Sequence, residues 1–145
     1  SELILSVPLY LVVPKNHPLS SEKLIDPFML DGQVFIMPDK SSKSRMQIDS
    51  YFRNNMINYQ ILYELGGIKP ILDVVKKGIG VSIVCAKAVI EDVKRGELCM
   101  IPVSDPENSL SASFYMVHNR EKVFNEGLEE LMDFIKETGR KADIL

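Results

Sequence analysis

Soft metal ligands are scarce in this sequence, which has only two cysteines and two histidines. Cys85 and Cys99 form no C-x-x-C pair and have no histidine close by, so the spacing of a zinc site is excluded. Each reads as a buried free thiol, since cysteine packs as a small hydrophobe. His17 and His118 are equally isolated and read as loop or strand-end residues, not as ligands or general bases. No metal or other cofactor is expected.

Cationic excess is also missing. Lys and Arg total 17 against 20 Asp and Glu, a net charge of -3, which argues against these residues gripping duplex DNA themselves. Long apolar runs are missing too: "LILSVPLYLVV" is interrupted by Pro8 and is too short for a membrane-spanning helix. The opening residues lack the basic segment, apolar stretch and small-residue cleavage site of a secretory signal, so a cytoplasmic location is expected. There is no internal repeat and no low-complexity tract.

What is present is 46% hydrophobic residues in 145, enough for one real core. "LYLVVPK" reads as a strand, and "NHPLSSEKLID" as a turn into a short helix capped by Ser20 or Ser21. "QVFIMP" is a second strand, followed by a helix with Ile48, Tyr51, Phe52 and Asn55 or Met56 on one face. "YQILYEL" is a third strand, Gly66-Gly67 a break, and Ile68, Ile71, Leu72 and Val75 mark the next helix, ended by Gly78. "GIGVSIV" reads as a strand buried on both faces, "AKAVIEDVKRG" as a helix, and "LCMIPV" as a strand. After the polar "SDPENSLS" come the strand "ASFYMV" and a final helix with Phe124, Leu128, Leu131 and Ile135 on one face. The alternation predicts an α/β fold with a mostly parallel sheet, compact and parallel-rich from about residue 33 to 103, with ligands at the carboxyl ends of its strands.

One stretch at such a junction carries chemistry. In "DKSSKSRMQIDSYF", beginning at Asp39, a Ser-Ser-Lys-Ser-Arg run places three serines and two cations at the mouth of a helix. The serines have two readings: caps for the first free amides, or the rim of a site where those amides and the helix dipole receive an anion. Arg45 could join the anion bidentately or form an internal salt bridge. Gly66 and Gly67 could let a ligand approach the backbone or simply make a turn. Glu64 could face a cleft or solvent. No nucleophile stands paired with a base and no paired carboxylates suggest hydrolysis, so no enzyme is expected.

Taken in order, these segments resemble the effector-binding region of LysR-type transcriptional regulators from about Leu9 to Glu137. "LVVPKNHPLSSE" resembles the family's strand and His-Pro-Leu turn, and "SSKSRMQIDSYFRNNMI" its Ser-Gly-Thr/Ser-Arg turn and helix. "YELGGIKPILDVVKKGIGVSIVCAKAV" resembles its run of strand, helix, Gly-x-Gly and buried strand. Lys43 replaces the usual Gly of the turn and adds a cation, and Cys85 stands where many members have Pro. The resemblance implies a periplasmic-binding-protein-like (type 2) regulatory domain, mainly its second lobe (about 15–103), with 1–14 and 104–145 as crossover strands and first-lobe remnants.

The same resemblance implies a function. A small-molecule effector would bind through Ser42, Lys43, Ser44, Arg45 and Gly67, and its charge would be negative. Effector binding would control DNA contact made by a helix-turn-helix outside these residues, with no membrane involvement. Apolar faces left exposed on the flanking segments would drive self-association. Three rivals share some of these features: a periplasmic-type solute-binding domain, an enzyme with similar lobes, and a redox sensor using Cys85 and Cys99.

Overall fold

The computed structural model describes residues 2–104, 110–117 and 126–142. His118, Phe124 and residues 105–109 of the polar loop lie outside them. The strands are β1 (Glu2–Pro14), β2 (Val34–Pro38), β3 (Gln60–Leu65), β4 (Ser82–Cys85), β5 (Leu98–Pro102) and β6 (Ser111–Met116). The helices are α1 (Lys43–Asn54), α2 (Ile68–Lys76), α3 (Ala86–Lys94) and α4 (Glu126–Ala142). Among the described residues no helix is long and apolar enough to cross a membrane.

The chain divides into two compact units, one of residues 8–111 and one of residues 1–7 with 112–145. In the larger unit, β2 and β3 pair in parallel, with Pro38 opposite Leu65. Val81, just before β4, exchanges backbone hydrogen bonds with β2 at 2.8 and 2.9 Å in a parallel bridge to Phe35. β1 then lies between β4 and β5. Here the expected mostly parallel sheet needs correction: β2, β3, β4 and β5 run one way, but β1 is antiparallel to both its neighbours. Hydrophobic periodicity fixes that β1 is a strand, whereas its direction depends on the long connection from Lys15 to Gln33. Leu11, Val12 and Val13 are wholly buried in the centre of the larger unit's sheet.

Alternate side chains of β2 project to opposite faces and so hold α1 and α2 on opposite sides. Phe35 meets Phe52 of α1 with ring centroids 5.0 Å apart, and Tyr59 closes this aromatic cluster 4.5 Å from Phe52. Ile36 instead joins the cluster of Ile71, Leu72 and Val75 from α2 with Val12, Val84, Val89 and Leu98. Burying any one of these aliphatic side chains contributes about 1.5–3 kcal/mol. β4 is buried on both faces as expected, and its one polar side chain, Ser82, donates to the Ile36 carbonyl at 2.7 Å.

Helix ends explain several local choices. α1 closes with Ile57 N–H donating to Phe52 O and Met56 N–H to Arg53 O, a Schellman pattern that forces Met56 to φ 52°. Gly78 terminates α2 at φ 73°, as its position predicts. The segment after β1 is a 3-10 turn, Pro18–Ser21, capped by His17 and not by Ser20 or Ser21. His17 Nδ1 accepts from Leu19 N–H at 3.1 Å, and partial burial lowers its pKa, which favours the neutral ring that can accept.

In the smaller unit, Gly139 of α4 lies against β1 so closely that a Cβ would meet the Ile4 carbonyl at 2.7 Å. β6 pairs with β1.

Candidate functional site: the strand ends before α1 and α2

Because β2 and β3 are adjacent and parallel, their carboxyl ends lie side by side and each leads into a helix. β2 ends at Pro38, and the chain turns at once: Ser42 N–H donates to Asp39 O at 3.0 Å and Ser41 N–H to Asp39 Oδ1 at 2.9 Å. The Ser41 hydroxyl donates to the same carboxylate oxygen. These Ser41 hydrogen bonds, hydroxyl first and then amide, hold the Asp39 pKa below its ordinary value, with a smaller contribution from the Arg45 charge.

Ser42 occupies the N-cap of α1 in extended backbone, and its carbonyl accepts from Met46 N–H at 3.2 Å. Its hydroxyl makes no capping hydrogen bond. It lies instead 2.7 Å from the hydroxyl of Ser44. Two hydroxyls and the first-turn amides of α1 are thereby brought together, with Lys43 exposed beside them. Ser44 is half-buried.

Arg45 is engaged inside the fold. It is 3% exposed. Nε donates to both oxygens of Asp49 at 2.9 and 3.0 Å, Nη1 donates to the Pro38 carbonyl at 2.9 Å, and Nη2 is 3.5 Å from Glu64 Oε1. Burial alone would lower its pKa, but the hydrogen bond to Asp49 and the charges of Asp49 and Glu64 outweigh that, and the net shift is upward. Tyr59 adds its hydroxyl to Asp49 at 3.4 Å, and its own pKa is raised, first by burial and then by the Asp49 charge. Of the two readings for Arg45, the geometry realises the internal salt bridge. Glu64, at the end of β3, is likewise turned to this ion pair.

Gly67 is the N-cap of α2, at φ 86° and ψ 152°. Only glycine adopts that region without strain. The space around it is ordinary, since an added Cβ would find only Pro70 Cδ at 3.8 Å. The turn therefore accounts for Gly67 by itself. The third helix of this unit, α3, starts from Cys85 at the end of β4. Cys85 lies opposite Leu9 and Cys99 opposite Val13, on different flanks of β1. Four residues along the strand and two strand spacings across it separate them by roughly 16 Å. A disulfide needs Cα atoms within about 7 Å, so the two cysteines cannot bridge each other in this fold. No cluster of His, Cys, Asp or Glu suited to a metal occurs among the described residues.

Sequence reasoning placed Asp39, Ser42, Lys43 and Ser44 at this turn but missed Asp49 and Tyr59. The spacing of Arg45 and Asp49, four apart on one helix, was the available signal for the ion pair. The link from Arg45 to Glu64 depends on strand register and has no local signature.

The LysR substrate binding domain family matches residues 1–140 of the chain. The chain belongs to this family. Among curated LysR-type relatives, the HTH-type transcriptional activator CmpR of Synechocystis is 24% identical over 88% of this chain and 41% of that protein. The RuBisCO operon transcriptional regulator of Acidithiobacillus ferrooxidans is 23% identical over the same shares. The chain thus spans about two fifths of the length of these regulators. Two solved domains share the fold: the Synechocystis CcmR regulatory domain in complex with 2-PG (TM-score 0.78, 21% identity, 95% of this chain and 65% of that one) and the QuiR effector binding domain in complex with shikimate (0.79, 21%, 97% and 65%). The fold is that of LysR regulatory domains, periplasmic-binding-protein-like type 2.

Proposed function

We propose that this LysR substrate-binding chain senses a small anionic effector for a bacterial transcription regulator working in the cytoplasm. The anion is received at the start of α1 by the Ser42 and Ser44 hydroxyls and the first-turn amides. Lys43 biases the site toward negative charge, and Gly67 brings the start of α2 to the neighbouring strand end. Arg45 enters as support for the turn. The observation that carries this reading is the N-cap: Ser42 holds the capping position, yet its hydroxyl is hydrogen-bonded to Ser44 and leaves the amides of α1 without that acceptor. The small molecules bound by the CcmR and QuiR domains, 2-PG and shikimate, support an effector role for the same fold.

In the parent protein, an effector favouring one arrangement of the domain shifts that population and so alters DNA contact made by segments outside this chain. The larger unit is read as the second lobe of the sensing domain and the smaller as part of the first. Self-association belongs to the same reading, with Leu131, Phe134 and Ile135 of α4 exposed. The role is binding, not catalysis, as the family's regulators support.

The test is a thermal-shift screen of metabolite carboxylates and phosphates on the full-length regulator, followed by titration of each hit against Ser44→Ala. A hydrogen bond to a charged group contributes about 1.5–3 kcal/mol, so the midpoint should rise by roughly 10- to 150-fold. An unchanged midpoint would return Ser44 to a purely local role.

A further inference from the structure

Arg45 is the most committed charged side chain near the proposed site, and its partners come from three segments. Pro38 is the last residue of β2, Glu64 stands opposite Met37 in the parallel register of β3, and Asp49 lies one turn further along α1. One planar group therefore ties the ends of two adjacent strands to the first turn of the helix that carries Ser42 and Ser44. Its location is unusual for a cation: inside the fold, directly after the serines, with its donors spent on Asp49, Pro38 and Glu64.

We infer that Arg45 is a positioning residue, whose guanidinium fixes the Ser42–Ser44 turn by joining the carboxyl ends of β2 and β3 to the start of α1. This deepens the proposed function and rests on it for its consequence, a preorganised anion site. The positioning itself is independent of any ligand. Lysine is a poor substitute, because a compact ammonium on a flexible stem lacks the rigid planar group that gives Nε to the Asp49 carboxylate while Nη1 reaches the Pro38 carbonyl and Nη2 the Glu64 carboxylate. The turn's own hydrogen bonds, Ser42 N–H to Asp39 O and Met46 N–H to Ser42 O, are the ones Arg45 would steady.

Native-state hydrogen exchange on the ligand-free chain tests this. In Arg45→Gln and in Arg45→Lys, the Ser42 and Met46 amides should exchange at least tenfold faster than any change at the sheet amides of β1 and β4, which report global opening. Equal acceleration at turn and sheet would make Arg45 a general stabiliser and overturn the proposal, as would full wild-type protection in Arg45→Lys. Titration with inorganic phosphate, followed at the Ser42, Lys43 and Ser44 amides, adds the consequence. Where wild type responds, Arg45→Gln should respond with a midpoint at least tenfold higher, and an equal midpoint would contradict preorganisation. A wild type that ignores phosphate counts against the anion site, while the exchange result still decides the role of Arg45.

Discussion

Replacing Gly67 by alanine and, separately, Gly66 by alanine should give opposite results at neighbouring positions. Gly67 sits at φ 86° and ψ 152°, whereas Gly66 has no left-handed φ and an added Cβ there would meet nothing within 4 Å. A non-glycine residue held in the Gly67 region costs of order 1–3 kcal/mol. Against this, losing glycine's freedom in the unfolded chain returns about 0.4–1 kcal/mol. The net loss for Gly67→Ala is then about 1–2 kcal/mol, with none of it from collision, since Pro70 Cδ is at contact distance. For Gly66→Ala the unfolded-state effect acts alone and gives a gain of about 0.4–1 kcal/mol. The sequence has no tryptophan, so urea unfolding is followed by far-UV circular dichroism. With a urea m-value of about 1–3 kcal/mol/M, the Gly67→Ala midpoint falls by roughly 0.5–1 M and that of Gly66→Ala rises slightly. A neutral Gly67→Ala together with a destabilised Gly66→Ala would refute the assignment of α2's start to Gly67.

Gly80→Ala should destabilise by about 1–3 kcal/mol in the same assay, because its Cβ would lie 2.7 Å from the Val34 carbonyl and force apart the pairing of Val81 with β2. Met56→Gly should raise the melting temperature: the left-handed conformation costs a non-glycine residue about 1–2 kcal/mol, Met56 is 87% exposed and gives up little packing, and glycine's extra unfolded-state entropy reduces the gain to about 0.5–1 kcal/mol. Asp92 supplies a pH signature, since its pKa is lowered by the hydrogen bond from Lys76 and further by Arg95, against the opposing effect of burial. Its contribution is fully present above the ordinary carboxylate range and is lost as pH falls through the lowered folded-state value. Urea midpoints from pH 7 downward should therefore drop less steeply in acid for Asp92→Asn than for wild type.

Much of the fold was legible because it rests on periodicity and punctuation. The spacing of Ile68, Ile71, Leu72 and Val75, closed by Gly78, specifies an amphipathic helix locally, and α2 forms there. The three consecutive buried residues of β4 were readable from an unbroken apolar run. The direction of β1 was not, because antiparallel pairing is settled by partners 70 and more residues away in sequence. At the site, residue types showed where a cap or anion would sit, but not how the hydroxyl of Ser42 would be spent. That depends on the rotamers of Ser42 and Ser44 within the first turn. Arg45 was ambiguous for a related reason: one of its acceptors is a backbone carbonyl and another belongs to the neighbouring strand.

The proposed regulatory role turns on an anion bound at the start of α1. Its most direct test is a crystal structure of the complete effector-binding region of the parent regulator with the tightest anion from the thermal-shift screen. An acidic group of the ligand is expected within hydrogen-bonding distance, about 2.5–3.2 Å, of the Ser42 or Ser44 hydroxyl or of a first-turn amide of α1. An effector held elsewhere, with the Ser42–Ser44 turn left to solvent, would contradict it.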